Sequence, residues 1–210
     1  MASLSASIVP SRAPVRPRRS SDERRRELVE AALRVMARDG VAAATTRAVT
    51  AEAGMTQSRF HYCFRSKAEL LHEVVETMVR NQVTSVLDAV RAGVGGDVRS
   101  GLHTALQAYC QHLVDHPEQH LLSYELTQYA LRTPGLEQLA AQQYQAYLAG
   151  AAEVLDALGS ADPVLARMVI AILDGVTLQW LVDRDRTTAA GVLEAFADQL
   201  ASSFVERIAG

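Results

Sequence analysis

The side chains best suited to chemistry lie in the stretch AEAGMTQSRFHYCFRSK, residues 51–67. Just after a glycine, this stretch carries amide, hydroxyl, guanidinium, imidazole and phenol groups, all of which hydrogen-bond to phosphates and to base edges. It ends on Lys67, the only lysine among 21 basic residues. The chemistry that such a cluster favours is the recognition of a polyanion.

The charge distribution points to the same end of the chain. Residues 1–67 hold 13 basic and 6 acidic side chains, whereas residues 68–210 hold 8 basic and 18 acidic ones, although the whole chain has a net charge of only −3. A basic head on an acidic body is typical of a protein that binds a polyanion with one end. A chance imbalance combined with a basic tail is the alternative interpretation.

Other kinds of site have little support in the sequence. It contains no nucleophile–base motif, no glycine-rich phosphate loop and no HExxH sequence. His112, His116 and His120 recur every four residues, but Pro117 interrupts the helix and no further ligands complete a metal site. We therefore expect no enzymatic activity, no metal and no cofactor.

Cysteine usage and hydropathy indicate the compartment. Cys63 and Cys110 fit neither a disulfide framework nor a CxxC metal motif, which favours a reduced, cytoplasmic protein. No apolar run approaches the roughly 20 residues that span a bilayer, so we expect no membrane partner. Residues 1–19 mix proline, serine and arginine without the apolar segment of a signal peptide, which is typical of a disordered basic arm.

Helical periodicity predicts an all-α fold, since no segment alternates with period two for long enough to indicate a strand. Capping-box spacing at Ser20 and Glu23 predicts the start of a first helix, and Asp39-Gly40 its end. Thr45 or Thr46 can cap a second helix, Thr56 a third, and Ser66 with Glu69 a long fourth that reaches about Ala92. Five further helices are predicted near residues 97–115, 117–132, 134–158, 162–183 and 188–208.

Two short helices joined at Gly54 predict a helix-turn-helix. A glycine there tolerates the left-handed backbone of the turn, and Phe60 and Phe64 at i and i+4 point inward. The polar residues of the second helix then face outward, where such helices meet base edges. These outward residues are Gln57, Ser58, His61 and Tyr62, with Arg59 on the flank.

The segment TTRAVTAEAGMTQSRFHYCFRSKAELL resembles the DNA-binding region of TetR-family transcriptional regulators. The family pattern is matched at Thr45/Thr46, Val49, Ala53-Gly54, Phe60, Phe64 and Ser66-Lys67. The chain departs from it at His61, where the family often has tyrosine, and at Cys63, where it often has histidine; both positions tend to touch phosphates in the family. Cysteine is a poor hydrogen-bond donor.

The resemblance implies a basic arm at 1–19, a three-helix helix-turn-helix domain at 20–67 and a helical ligand-binding and dimerisation domain at 68–210. It also implies a cytoplasmic homodimer that binds a palindromic double-stranded DNA operator as a repressor and is released by a small-molecule effector. An activator or a sequence-tolerant DNA-binding protein is an alternative. A helical enzyme or ligand carrier is a rival from another class.

Several DNA contacts are predicted with their alternatives left open. Lys67 follows the Ser66 cap, so its ammonium and the helix N-terminus can meet one phosphate; a solvated lysine is the alternative. Arg47 matches a family position that reads guanine, although a phosphate contact is also possible. The arginines of the arm fit either a minor groove or a solvated tail. The predicted DNA-binding residues are Thr45, Thr46, Arg47, Thr56, Gln57, Ser58, Arg59, His61, Tyr62 and Lys67.

Between residues 100 and 185 every aromatic side chain has a polar tip. An effector pocket explains this pattern, and tyrosines at the edge of a core with wet hydroxyls explain it as well. The predicted effector-binding residues are His103, Tyr109, Tyr124, Glu125, Gln128, Tyr144, Asp174 and Trp180.

The last two helices carry more apolar surface than one domain needs. In the family this surface pairs with a second copy in a four-helix interface, whereas the periodicity alone fits simple core packing nearly as well. The predicted interface residues are Ile172, Val176, Val192, Phe196, Leu200 and Phe204.

Overall fold

The computed structural model describes residues 20–93, 97–159 and 162–209, with side chains described as far as Ser202. This part of the chain forms nine α-helices and one 3-10 turn (Val41–Ala43) and contains no strand, which confirms the all-α prediction. The predicted arm at 1–19 lies outside the described residues. The helices are α1 (Ser21–Asp39), α2 (Thr46–Glu52), α3 (Gln57–Cys63), α4 (Lys67–Ala92), α5 (Val98–Asp115), α6 (Pro117–Arg132), α7 (Glu137–Ala157), α8 (Pro163–Asp183) and α9 (Arg186–Ala209).

Local capping signals set most of these boundaries. Ser20 and Glu23 form a complete capping box, in which the serine hydroxyl accepts from Glu23 N at 3.1 Å and the glutamate accepts from Ser20 N at 2.7 Å. Gly54 has φ +63°, as the turn between α2 and α3 requires. Pro117 and Pro163 occupy the first positions of α6 and α8, where a missing N–H costs no helical bond.

Three predicted local details differ from the structure. Glu69 does not complete a second capping box, because its carboxylate accepts from Arg65 N at 2.7 Å rather than from Ser66 N. The hydroxyl of Thr56 caps no backbone N–H and lies 3.0 Å from that of Ser58. The seventh helix begins at Glu137 rather than at 134, since the chain first turns through Gly135 with φ +86°.

Two clusters of buried side chains form the interior. The first packs α1–α4 against α6 and α7 and contains Leu28, Val35, Phe60, Phe64, Leu70, Leu126 and Leu139. The second lies among α5, α8 and α9 and contains Leu106, Leu113, Val176, Trp180, Leu193 and Leu200. At 26 residues, α4 is about 39 Å long, and it connects the helix-turn-helix to the larger helical body.

The surface of α8 is unusually apolar. By length and composition alone this 21-residue helix is apolar enough to cross a membrane, and 22% of its most apolar 18-residue window is buried. Arg167 and Asp174 interrupt its apolar run. Its exposed apolar side chains include Val164, Met168, Ile172, Leu178 and Val182.

Candidate nucleic-acid interface and ligand cavity

The polar face of α3 is set by two buried aromatic rings. Phe60 and Phe64 have 0% and 1% of their surface exposed, and their ring centroids lie 5.6 Å apart. Because α3 anchors these rings inward, its opposite side is turned to solvent, and Tyr62 is 72% exposed. The predicted outward residues Gln57, Ser58, Arg59, His61 and Tyr62 are all exposed.

Cys63 belongs to the inner face of α3. Its side chain is buried, and burial raises the pKa of the thiol, so the group stays neutral. A buried neutral thiol cannot reach a phosphate. This agrees with the weak donor character expected from the sequence.

An ion-pair network that the sequence did not predict fastens the end of α3. Arg25 of α1 donates to the carbonyl oxygen of Cys63 and pairs with Glu69 and Glu73 of α4. Its guanidinium also lies 4.3 Å from the centroid of the Phe64 ring. One side chain thus fixes α3 relative to both α1 and α4, and an arginine among several on α1 gives no sequence signal of that role.

The start of α2 places its polar residues at the same surface. Thr45 uses its hydroxyl as a cap, accepting from Ala48 N at 3.1 Å, while Thr46 begins the helix and is half-buried. Arg47 is exposed. Its guanidinium can therefore extend beyond α2.

Lys67 is the first residue of α4, as predicted. Its ammonium donates to the hydroxyl of Tyr129 on α6 at 3.3 Å and lies 5.1 Å from the centroid of that ring. The side chain is half-buried. Lys67 therefore connects the helix-turn-helix to α6 of the helical body.

A cavity of about 100 Å³ lies within the helical body, between the faces of α4–α9. Its wall is mostly apolar, which is typical of sites for small organic molecules. The apolar lining is supplied by Val83, Val86, Leu102, Leu106, Val154, Leu155, Val169, Ile170, Leu173 and Leu200.

Four of the predicted effector residues line this cavity: Tyr109, Tyr124, Tyr144 and Asp174. Tyr144 donates to Oδ2 of Asp174 at 2.9 Å, and Tyr124 donates to the backbone carbonyl of Asp174 at 2.8 Å. Tyr109 and Thr177 share a buried hydroxyl–hydroxyl hydrogen bond of 2.6 Å. Burial raises the pKa of Tyr109 and Tyr124 and raises that of Tyr144 to about 12, so all three phenols are neutral donors.

The other four predicted effector residues lie elsewhere. His103 faces a separate surface groove, with Nε2 3.0 Å from Asp198 Oδ1. Glu125 lies on the far side of α6, where its carboxylate accepts from Val41 N at 2.7 Å. Gln128 is exposed, and Trp180 is packed into the α5/α8/α9 core with Arg184 stacked over its ring at 4.7 Å. Their proximity to the tyrosines in the sequence was the basis for predicting them as effector-binding residues.

The sequence did not predict a second polar group in the cavity wall. Gln143 of α7 donates to the hydroxyl of Ser123 at 2.7 Å and accepts from Thr127 at 3.1 Å, while the hydroxyls of Ser123 and Tyr147 lie 2.9 Å apart. A glutamine in a helix gives no sign of burial in the sequence. These side chains satisfy one another's hydrogen bonds within the cavity wall.

The histidine series has a structural role in the described part of the chain. His112 Nδ1 lies 3.1 Å from His120 Nε2, and His120 also lines the cavity. Burial, followed by the neighbouring histidines, lowers the pKa of His120 to about 4. Among the described residues, no group of three or more His, Cys, Asp or Glu side chains is arranged to hold a metal ion.

The predicted dimer residues divide by exposure. Ile172 and Val192 are 37% and 40% exposed, and Phe196 is half-buried against the second core cluster. Val176 and Leu200 are only 5% and 4% exposed, because the protomer's own core covers them, so they offer little surface to a second copy. The side chain of Phe204 lies outside the described residues.

Two family models match the chain. Residues 28–74 match the family "Bacterial regulatory proteins, tetR family", and residues 97–202 match the family "Tetracyclin repressor-like, C-terminal domain". The first match covers the helix-turn-helix and the start of α4. The second covers α5–α8 and most of α9.

Individual relatives agree with these matches. The HTH-type nicotine-responsive transcriptional repressor HdnoR of Paenarthrobacter nicotinovorans is 28% identical over 86% of this chain and 97% of its own length. The structure of the multidrug binding protein EbrR, complexed with imidazole, is 30% identical with a TM-score of 0.60, covering 81% of this chain and 88% of that one. A putative transcriptional regulator of Pseudomonas aeruginosa PAO1 shares the fold, with 22% identity and a TM-score of 0.69 over 90% of this chain and 96% of that chain.

Proposed function

The chain belongs to the TetR family of bacterial transcriptional regulators, and from this membership we propose that it is a homodimeric repressor of a palindromic operator. It is a DNA-binding regulator, and a small molecule in the helical body releases it from DNA. The observation that carries the proposal is that one chain has both an exposed polar helix face and an internal cavity. The polar face of α3 is exposed in the helix-turn-helix, and a tyrosine-lined cavity lies within the helical body.

We assign the DNA contacts to the exposed polar residues of α2 and α3 and to Lys67. We assign exposed Arg47 to a base edge, where arginine makes the commonest specific contact, with guanine. Lys67 and the first turn of α4 meet a phosphate. We assign residues 20–67 to the DNA-binding domain and residues 68–210 to the sensing and dimerisation domain.

The exposed apolar face of α8 supports the dimer. Met168 and Ile172, one turn apart, are 52% and 37% exposed, and a second copy related by two-fold symmetry would cover them together with Val192 of α9. Two recognition helices would then face successive turns of the major groove, about 34 Å apart. An operator-bound regulator of this kind acts in the cytoplasm.

The names of relatives support control by a small molecule. HdnoR is described as nicotine-responsive, and EbrR as a multidrug binding protein. In this chain the corresponding sensor is the cavity beside Tyr124, Tyr144 and Asp174. Ligand and operator then compete through two conformations, since the ligand binds the DNA-incompetent one more tightly.

The proposal is tested by selecting bound sequences from random double-stranded DNA with the full-length protein. Enrichment of a palindrome with half-sites about one helical turn apart is expected, together with steeply salt-dependent affinity and a large ratio of specific to non-specific binding. Selection of no common sequence, or of a single asymmetric half-site, would contradict a dimeric operator-binding repressor.

A further inference from the structure

Asp174 is the one acidic side chain in the described lining of the cavity. It belongs to α8 and is half-buried, and its Oδ2 accepts the hydrogen bond from Tyr144. Among the hydrogen bonds of the described residues, Oδ1 accepts none. One oxygen of this cavity-lining carboxylate is therefore available to a ligand.

No basic side chain in that described lining balances this carboxylate. Among the described residues that line the cavity there is neither a lysine nor an arginine, and the lowered pKa of His120 keeps the imidazole neutral near pH 7. Burial raises the pKa of Asp174 and outweighs the hydrogen bond from Tyr144, which lowers it; this reflects the cost of an ionised carboxylate without a cationic partner. A half-buried carboxylate is stabilised when an opposite charge approaches it.

The surroundings of Asp174 suit an organic cation. Tyr124 approaches from α6 and Tyr144 from α7, and the rings of Tyr144 and Tyr147 are arranged edge to face with centroids 6.5 Å apart. Aromatic faces attract ammonium groups, most strongly in desolvated sites. Beyond the tyrosines and the polar group around Gln143, most of the wall is formed by aliphatic side chains, which would cover the apolar part of a ligand.

We propose that the cavity binds a small lipophilic amine as its ammonium ion, with Asp174 as the counter-ion and Tyr124 and Tyr144 beside it. The inference rests on the proposed function in one respect, namely that the cavity is the effector site. It goes further by fixing the chemical class of the effector: one positive charge on an apolar body. The carboxylate also excludes carboxylic acids of similar size, because two like charges would be buried together.

Two probes of equal shape test the role of the charge. Benzyltrimethylammonium and neopentylbenzene differ only in a quaternary nitrogen in place of a carbon. Calorimetric titration of the full-length protein should show at least about tenfold tighter binding of the cation, since the Coulomb attraction in a partly desolvated site contributes more than about 1.4 kcal/mol. Equal binding, or tighter binding of the hydrocarbon, overturns the proposal without any variant being made.

Asp174→Asn tests whether this carboxylate causes the preference for the cationic probe. The variant should lose the preference for the cation while binding neopentylbenzene as the parent does. Asp183→Asn is the matched control, because Asp183 is an exposed residue at the end of the same helix, outside the cavity. A preference that survives Asp174→Asn, or that Asp183→Asn removes equally, overturns the assignment.

Operator release is measured separately, so that the two proposals can fail independently. If benzyltrimethylammonium binds through Asp174 but never dissociates the protein–DNA complex, the amine site stands and the ligand-released repressor is overturned. If only neutral or anionic compounds bind the cavity and release DNA, the repressor stands and the amine site is overturned.

Discussion

The ammonium of Lys67 lies 3.3 Å from the hydroxyl oxygen of Tyr129 and 5.1 Å from the centroid of its ring. Lys67 begins α4 at the DNA-binding end, and Tyr129 belongs to α6, the helix that also presents Ser123 and Tyr124 to the cavity. The chain's only lysine therefore links the DNA-binding end to the helical body, at the position where we propose a phosphate contact. A long flexible stem with a compact charge suits such a position better than the planar fork of an arginine.

The first prediction concerns Lys67. Lys67→Ala should weaken binding to all DNA sequences alike and reduce the slope of log K against log salt by about 0.9 for each phosphate that the lysine neutralises. Tyr129→Phe is the control, because it removes the hydrogen bond to Lys67 and keeps the ring. If Lys67 serves only to hold α4 to α6, both variants will lower the melting temperature and neither will change the slope.

The second prediction concerns base reading by Arg47. Arg47→Ala should cost roughly 1–3 kcal/mol on the selected operator and relax discrimination at one base pair of each half-site. Arg80→Ala, an exposed arginine in the body of α4, is the matched control and should leave the sequence preference intact. Unchanged discrimination at every position in Arg47→Ala would show that this side chain contacts only the backbone.

The helices and the helix-turn-helix were predictable because their signals are local. Ser20 with Glu23, the positive φ at Gly54 and the i, i+4 pair Phe60 and Phe64 each act within one or two helical turns. Residues on α6 were harder to assign: Tyr124 and Glu125 are adjacent, yet one donates to Asp174 and the other accepts from Val41 N. Which neighbour covers each face of a helix depends on contacts between residues distant in sequence.

The same limit applies to the last two helices. Val176 of α8 and Leu200 of α9 each belong to an apolar stripe with helical period. Such a stripe occurs on a face that fills the protomer's own core, as here, as well as on a face that pairs with a second copy. The stripe of α8 is wide enough to serve two neighbours at once. Only the packing of α7 and α9 against it separates the inner side, with Val176, from the outer side, with Ile172.

The third prediction tests the outer side of α8. Ile172→Glu should give monomers by sedimentation velocity and abolish tight operator binding, because an unpaired charge would be buried in the interface and one half-site lacks the dimer's combined affinity. Phe196→Glu should have the same effect, although its half-buried ring makes Ile172 the cleaner position. Leu131→Glu, at a 58% exposed leucine of α6, is the control that should remain dimeric. Persistent dimers in Ile172→Glu would show that α8 is not the interface.

The fourth prediction concerns acid stability. His120 titrates near about pH 6.5 in an unfolded chain, whereas burial lowers its pKa to about 4 in the folded protein. The stability that the neutral imidazole contributes is therefore complete above about pH 6.5 and is lost as the pH falls toward about 4. At about 1.36 kcal/mol per unit this amounts to about 3 kcal/mol.

Urea unfolding at a series of pH values, with the protein concentration held fixed, checks this expectation. His120→Gln should flatten the decline in the free energy of unfolding between about pH 6.5 and 4. His61→Gln, at an exposed histidine of α3, should not. A decline of equal steepness in His120→Gln would mean that other groups account for the acid sensitivity.

The last prediction separates two residues of α6 that the sequence assigned to the effector alike. Tyr124 lines the cavity and donates to the carbonyl of Asp174 at 2.8 Å, whereas Gln128, one turn later, is exposed and outside it. A coupling of about 1–3 kcal/mol between ligand and operator corresponds to a roughly 5–150-fold loss of operator affinity on saturation.

Tyr124→Ala should leave operator affinity near that of the parent but demand far more benzyltrimethylammonium for half-release, because ligand binding and not DNA binding is impaired. Gln128→Ala should release like the parent in the same titration of the protein–DNA complex. If Tyr124→Ala also releases like the parent, or if the two variants are impaired equally, the effector does not bind beside Tyr124.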